Sequence, residues 1–365
     1  MAVRLTRCSF AELSGWEHHD HAAALDVFRR SCRRLSDVPS YRGLGPVFGG
    51  SPEDWRTVCS EAVKSDAARI FFETFFVPCR VIDPVKPDGL FTGYFEPEVQ
   101  GSLARTEAFH VPIYSVPPDL VSFTEDERSA IGLTSGRRRM GRAEPYLTRE
   151  EIEEGALAGQ GLEIAWLRDW GDAYFLQIQG SGRIRMVDGT TLRLSFAAKS
   201  GHLYTSIGSL LAERGQIEPD KLSMQSIRHW MTCHPRQARE LMWENRSFIF
   251  FQRADLAEPH LGAFGAQRVQ LTPQRSIAID RSYWAYGTPI WLDTEAPLGD
   301  EGSMKRFRQL LVAQDTGSAI RGAARGDVYW GFGDSAGRIA GPMKSAGQMT
   351  VLLPYSVARR IGLMP

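Results

Sequence analysis

Apolar residues recur at helical spacing from His21 to Leu35, with Ala24, Leu25, Val27, Phe28 and Cys32 on one face and arginines on the other. The pattern predicts an amphipathic helix that Pro39 and Gly43 end. Ser51-Pro-Glu-Asp reads as an N-cap followed by a first-turn proline and acids, predicting a helix through Ala62, and Asp66 is placed to cap another through Phe76. Phe71, Phe72, Phe75 and Phe76 are its apolar face. The chain up to Phe76 is thus a helical lead-in, and from Cys79 the pattern changes to short strands.

Arg80-Val-Ile-Asp predicts one strand, and Gly89-Leu-Phe-Thr-Gly-Tyr-Phe-Glu-Pro a second that carries Thr92, Tyr94 and Glu96 around Gly93. Pro117 to Glu144 holds no convincing period and reads as a surface insertion. Thr148-Arg-Glu-Glu151 is a capping-box match. Ala173–Gln179, Gly182–Val187 and Thr191–Phe196 read as strands of a hairpin-rich sheet, turning at Asp188-Gly189. On that reading Gln177 and Gln179 share one face and run into Gly180-Ser181-Gly182, a set of amides and turn groups suited to hydroxyl and N-acetyl recognition. Helices are expected at Tyr204–Arg214, Ser223–Thr232 and Pro235–Glu244. Strands then return at Ser247–Phe251, Ser276–Asp280, Thr288–Asp293, Gln309–Gln314 and Gln348–Leu353.

The stretch Leu310 to Gly333 concentrates the candidate chemistry. It opens with an apolar run ending in Gln314 and Asp315, and closes with Asp327 beside Val328, Tyr329 and Trp330; the glycines and arginines between allow close backbone approach and supply cationic donors. Asp280 also ends an apolar run. Each aspartate could instead be a turn cap. Asp315-Thr-Gly-Ser318 spells an aspartic-protease turn, but the chain holds no second copy to share a proton with it. Gly333-Asp-Ser-Ala-Gly337 spells a nucleophile elbow, but no histidine follows His260.

A length of 365 residues makes two domains the expectation. The balance of 43 basic and 43 acidic residues, without a long basic block, argues against nucleic acid as a partner. The five cysteines show no metal-ligand spacing, and one pair among Cys8, Cys32, Cys59 and Cys79 could oxidise. No stretch is apolar enough to span a membrane, and no export signal is visible.

Taken together, FTGYFEP at 91–97, FLQIQGSGRI at 175–184, AAKSGHLYTSIG at 197–208, SMQSIR at 223–228, SIAIDR at 276–281 and the stretch from Asp315 to Gly333 resemble the MltA family of membrane-bound lytic murein transglycosylases. The last of these resembles the module named for three aspartates, here Asp280, Asp315 and Asp327. The resemblance implies a mainly β fold with a helical lead-in: a discontinuous double-psi β-barrel, an inserted second β-domain, and a groove between them. That architecture agrees with the shifts of composition near Arg105 and Asn245, which divide the chain into 1–104, 105–246 and 247–365. The resemblance implies cleavage of the β-1,4 bond between N-acetylmuramic acid and N-acetylglucosamine with a 1,6-anhydro product, Asp327 being the catalytic residue. Thr92, Gly93, Tyr94, Glu96, Gln177, Gln179, Gly180, Ser181, Lys199, Asp280, Gln314, Asp315 and Tyr329 are expected to bind the glycan strand, with no metal and no cofactor. It also implies a monomer in the periplasm, held at a membrane only through a lipid anchor or signal that this sequence does not show.

One carboxyl group suffices for this chemistry, because the 6-hydroxyl of the muramic acid replaces water; the acid must then stay protonated near neutral pH. The competing readings are an inverting hydrolase, which needs a second carboxylate roughly 6.5 to 9.5 Å away such as Asp280 or Asp315, and a non-catalytic glycan-binding module that needs no titrating aspartate.

Overall fold

The computed structural model describes residues 3–37, 45–84, 87–255, 258 and 260–364. Pro39 and Gly43, the expected end of the first helix, lie outside them. Helix α1 (His21–Ser36) starts at Asp20, whose side chain accepts from the Ala23 N–H. Helix α2 (Pro52–Lys64) has the predicted first-turn proline and a capping box between Ser51 and Asp54. Helix α3 (Ala68–Phe75) is capped at Ala67, one residue past the expected Asp66. The three bury Leu25, Phe28, Trp55, Phe71 and Phe72 in one cluster with Trp291, Leu310, Val312 and Leu352. Cys32 and Cys59 form a disulfide between α1 and α2, which settles the pair left open by sequence; Cys8 and Cys79 are buried thiols.

Strands in chain order are β1 (Arg4–Arg7), β2 (Phe76–Ile82), β3 (Leu90–Glu96), β4 (Glu98–Ser102), β5 (Val111–Tyr114), β6 (Val121–Ser122), β7 (Ser135–Arg139), β8 (Arg142–Glu144) and β9 (Glu163–Leu167). They continue as β10 (Ser181–Met186), β11 (Thr191–Lys199), β12 (Ile249–Arg253), β13 (Ser276–Ile279), β14 (Pro289–Ala296), β15 (Lys305–Asp315), β16 (Arg325–Phe332), β17 (Lys344–Ser345) and β18 (Gly347–Pro354).

The chain divides into two compact units, the first comprising Met1–Phe95, Pro259–Gly331 and Ser335–Pro365, the second Glu96–Glu258 and Phe332–Asp334. The first is built on a nine-stranded mixed sheet in the order β1-β2-β18-β14-β15-β13-β16-β3-β17. Strands from before and after the second unit therefore interleave: β2 pairs with β18, and β3 lies between β16 and β17. The described pairings leave β1 and β17 as edges of a mixed, barrel-like sheet, in keeping with the mainly β, discontinuous barrel expected.

The second unit holds a six-stranded sheet, β12-β11-β10-β4-β9-β5, in which β10 and β4 are parallel. Strands β4 and β12 belong to it, so boundaries drawn at 104/105 and 246/247 cut through its sheet: they followed composition, whereas strand pairing sets the unit. The segment 117–144, expected to lack regular structure, forms the small sheet β6-β7-β8 and a helix, Glu125–Ile131, with a capping box from Thr124.

The largest departure is at Ala173–Gln179, expected as a strand and found in the helix Trp170–Gln179. Asp169 caps its start by accepting from the Asp172 N–H, and Gly180 ends it with a φ of 75°. Ala173 and Leu176 face the sheet core while Tyr174 and Phe175 face a second cluster with Leu211, Leu241 and Met242. A helix covered on two sides is apolar nearly all round, which erases the helical period. The later helices, Ile207–Glu213, Met224–Cys233 and Pro235–Glu244, follow the expected pattern, the first starting three residues late at the Ser206 cap.

Candidate active site

Strand β13 sets the two acids of the first unit. Ala278 pairs antiparallel with Asp327 on β16 and parallel with Asp315 on β15. Residues directly opposite one another project to the same face, so both carboxyls stand on one side of the sheet, with Cα atoms about 9 to 10 Å apart across two strand spacings. Ile277 pairs with Ala313 but Ala278 with Asp315, which makes Gln314 the extra residue of a β-bulge. Without the bulge Gln314 would stand opposite Ala278. It is instead buried, its amide donating to Ser31 Oγ and its oxygen accepting from Ser276 Oγ at 2.6 Å.

Strand β3 supplies the partners. Thr92 and Tyr94 are two apart and share a face. The Thr92 hydroxyl donates to Oδ1 of Asp327 at 2.6 Å and accepts from Nη2 of Arg325 at 2.8 Å. The Tyr94 hydroxyl donates to Oδ2 of Asp315 at 2.9 Å, and its ring lies 5.2 Å from that of Tyr329. Gly93 faces the other way: a Cβ there would come within 2.6 Å of the Trp330 indole nitrogen, so it serves close packing of β3.

The three aspartates are not equivalent. Asp280 is drawn up by burial, but the N–H groups of Gly322 and Ser282 and the Ser282 hydroxyl outweigh this and hold its carboxyl below the usual range. It is an ionised turn cap. Burial raises Asp315, against the N–H groups of Ala266 and Thr316 and the Tyr94 hydroxyl, and Asp327 adds to the rise. Burial also raises Asp327, and neither the Arg325 charge nor the Thr92 hydroxyl cancels it. Burial and the neighbouring Asp315 raise Tyr94 well above a free phenol. Both oxygens of Asp315 are thus held by donors, whereas among the described residues Oδ2 of Asp327 has none.

Several expected site residues are structural. Glu96 is fully buried, 3.4 Å from Arg183 and 3.5 Å from Arg193. Gln177 is buried and accepts from Nη2 of Arg149 at 2.8 Å; that guanidinium also bonds the carbonyls of Asn245 and Ser247. Two residues along a helix turn about 200°, so Gln177 and Gln179 do not share a face; Gln179 is half-exposed at the helix end. Gly180 is the helix stop, and Ser181 is buried at the start of β10. Lys199 ends β11 half-exposed, its carbonyl accepting from Ser135. Arg325 was not singled out by sequence, although strand alternation places it on the same face of β16 as Asp327 and Tyr329.

Family models match two stretches: the MltA specific insert domain over residues 90–252 and the 3D domain over 275–353. Among solved structures, the membrane-bound lytic murein transglycosylase of Agrobacterium tumefaciens has a TM-score of 0.87 at 34% identity, covering 99% of each chain. The chain belongs to the MltA family. MltA from Neisseria gonorrhoeae gives a TM-score of 0.79 at 32% identity over 96% of this chain and 93% of that one. Escherichia coli MltA, solved with bound chitohexaose, gives 0.67 at 29% identity over 96% and 91%. Membrane-bound lytic murein transglycosylase A of Escherichia coli K12 is 35% identical over 72% of this chain, and the match spans 65% of the length of that relative. The 3D match contains all three aspartates, and the MltA insert match begins at the strand that carries Thr92 and Tyr94.

Proposed function

We propose that this chain is a lytic murein transglycosylase that cleaves the β-1,4 bond between N-acetylmuramic acid and N-acetylglucosamine in peptidoglycan, with Asp327 as its single acid and base. The observation that carries this reading is Asp327 itself: a carboxyl raised by burial, with one oxygen held by Thr92 and the other open. The bound chitohexaose of the Escherichia coli relative, a chain of N-acetylglucosamine, supports a glycan strand as substrate. Oδ2–H protonates the bridging oxygen and the C1–O bond breaks, releasing N-acetylglucosamine with a free 4-hydroxyl. The resulting carboxylate takes the proton of the muramic acid 6-hydroxyl as that oxygen bonds to C1. The 1,6-anhydro ring closes, Asp327 regains its proton, and no water is consumed.

An inverting hydrolase would need Asp315 or Asp280 to activate water. Each carboxylate already accepts at least three protein hydrogen bonds, which leaves little room on its oxygens to accept from and orient a water. Tyr94, Gln179 and Lys199 are proposed strand contacts; Tyr329, expected among them, is fully buried in the first unit and serves packing instead. Among the described residues no helix is long and apolar enough to cross a membrane; a periplasmic monomer, reaching a membrane only through an anchor, fits the membrane-bound relatives. Digestion of purified cell wall in water enriched in heavy oxygen tests the chemistry. Unlabelled anhydro ends, one water lighter than reducing ends, are expected, and label at C1 would establish hydrolysis instead.

A further inference from the structure

The Thr92 hydroxyl has one proton and two lone pairs, and a guanidinium can only donate. Nη2 of Arg325 at 2.8 Å therefore takes a lone pair of Oγ1. Among the described residues the other partner of that hydroxyl is Oδ1 of Asp327, so its proton has one acceptor to go to. Arg325 is itself fixed: Nη1 donates to the carbonyls of Leu90 and Gly326. The chain of donation runs in one direction, from Arg325 through Thr92 to Oδ1.

We infer that Arg325 is a positioning residue for the acid: by donating to Thr92 it directs the hydroxyl proton onto Oδ1 of Asp327 and so confines the transferable proton to Oδ2. The inference rests on Asp327 being the acid. An acid free to carry its proton on either oxygen would spend part of its time with the proton turned into the protein, toward Thr92. With Oδ1 already accepting a 2.6 Å hydrogen bond, the proton sits on the open oxygen. The same contact serves the second half of the reaction. When Asp327 is a carboxylate, the short hydrogen bond and the charge behind it stabilise Oδ1, and Oδ2 remains free to take the 6-hydroxyl proton.

The charge has a further consequence for acid strength. Asp327 faces Arg325 and Tyr329 on its own strand, Thr92 and Tyr94 on β3, and Asp315 across β13; Lys344 on β17 pairs with Thr92. Arg325 is the cation coupled to Asp327 and works against burial. Removing it leaves a weaker acid that stays protonated to higher pH but gives up its proton less readily.

The test uses the full chain and purified glycan strands, with Arg325→Met, Thr92→Val, their double variant and Asp327→Asn. Arg325→Met is expected to lower kcat by roughly 10- to 100-fold, at or below the low end of the ~100- to 10,000-fold that a general acid itself contributes, with KM nearly unchanged and the alkaline limb of the kcat profile moved upward. In the Thr92→Val background the same change should cost little further kcat, because the relay is already cut. Arg325→Lys should recover part of the Arg325→Met loss. Should Arg325→Met fail to fold, Arg325→Gln, which keeps a donor but not the charge, must still move the alkaline limb upward. Costs that multiply in the double variant, or an unmoved limb, would overturn the relay while a dead Asp327→Asn leaves the acid assignment standing. An active Asp327→Asn enzyme would overturn both.

Discussion

Asp315 and Asp327 flank Ala278 from opposite sides, and of the two only Asp327 keeps an oxygen that no donor among the described residues holds. The difference follows from what lies next to each. Asp315 ends β15 where the chain turns, so the N–H groups of Thr316 and Ala266 reach Oδ1 while Tyr94 reaches Oδ2. Asp327 lies inside β16, where the neighbouring N–H groups belong to the ladder, and a side chain from β3 is its partner. A carboxyl saturated with donors is a structural acceptor; one that is desolvated and half-free can move a proton.

That asymmetry predicts different outcomes for two matched substitutions. Asp327→Asn preserves the acceptor for Thr92 but cannot transfer a proton, and should reduce turnover by at least ~100-fold with folding intact. Asp315→Asn keeps one acceptor oxygen for the backbone donors and should leave most of the activity. Turnover by the two purified variants on cell wall decides it: an active Asp327→Asn beside a dead Asp315→Asn would move the chemistry to Asp315.

Much of this site is legible in sequence where alternation holds. Thr92 with Tyr94, and an aspartate at the end of each apolar run, need only a period of two, and the same rule applied to β16 would have added Arg325 to Asp327. Register is not written so locally. Nothing in the residues around Gln314 announces the bulge that turns its amide inward and brings Asp315 opposite Ala278. Glu96 fails for a related reason: it continues the alternation of Thr92 and Tyr94, but at the strand end two distant arginines hold it. Ala173–Gln179 reads as a strand in sequence because a helix packed on both sides has no polar face to show its period, although Asp169 and Gly180 mark its ends.

The corrected helix separates two glutamines that sequence placed together. Gln177→Ala removes the acceptor of Arg149 Nη2 inside a buried network and should cost about 1 to 3 kcal/mol of stability, read from denaturant unfolding, with strand binding unchanged. Gln179→Ala should leave unfolding alone and weaken strand binding by about 1 to 3 kcal/mol if it holds a sugar amide. A Gln177 variant with normal stability and lost affinity would place that amide in the site after all.

Thiol reactivity should follow the cysteine environments. Cys79 is pushed up to about 12 by burial and Cys8 is raised for the same reason, whereas Cys233 is exposed. Alkylation of native protein near neutral pH should therefore modify Cys233 first. Denaturation without reductant should add Cys8 and Cys79, and reductant is needed for Cys32 and Cys59. Replacing both disulfide cysteines by serine should cost about 3 to 4 kcal/mol on loop entropy for a separation of 27 residues. Labelling of Cys32 in unreduced, denatured protein would show that the bridge is not formed.

The raised Asp327 carboxyl also makes a statement about stability. Burial holds its native proton more tightly than the unfolded chain does, with Arg325 and Thr92 pulling the other way and losing. Below the usual aspartate range both states are protonated and the group contributes nothing to the balance. As pH rises from there toward the native value, the unfolded chain gives up its proton first and is favoured; above the native value the full cost of a desolvated charge is present. Asp327→Asn does not titrate and still accepts from Thr92, so it escapes that cost. Asp315 acts in the same sense, because the Asp327 charge raises it further and the substitution relieves it. Melting temperatures of the two proteins should therefore coincide near about pH 3 and diverge as pH rises toward 7, the inactive variant being the more stable. A wild type that is equally or more stable at neutral pH would mean that Asp327 is not desolvated, and would remove the physical reason for a protonated acid at this position.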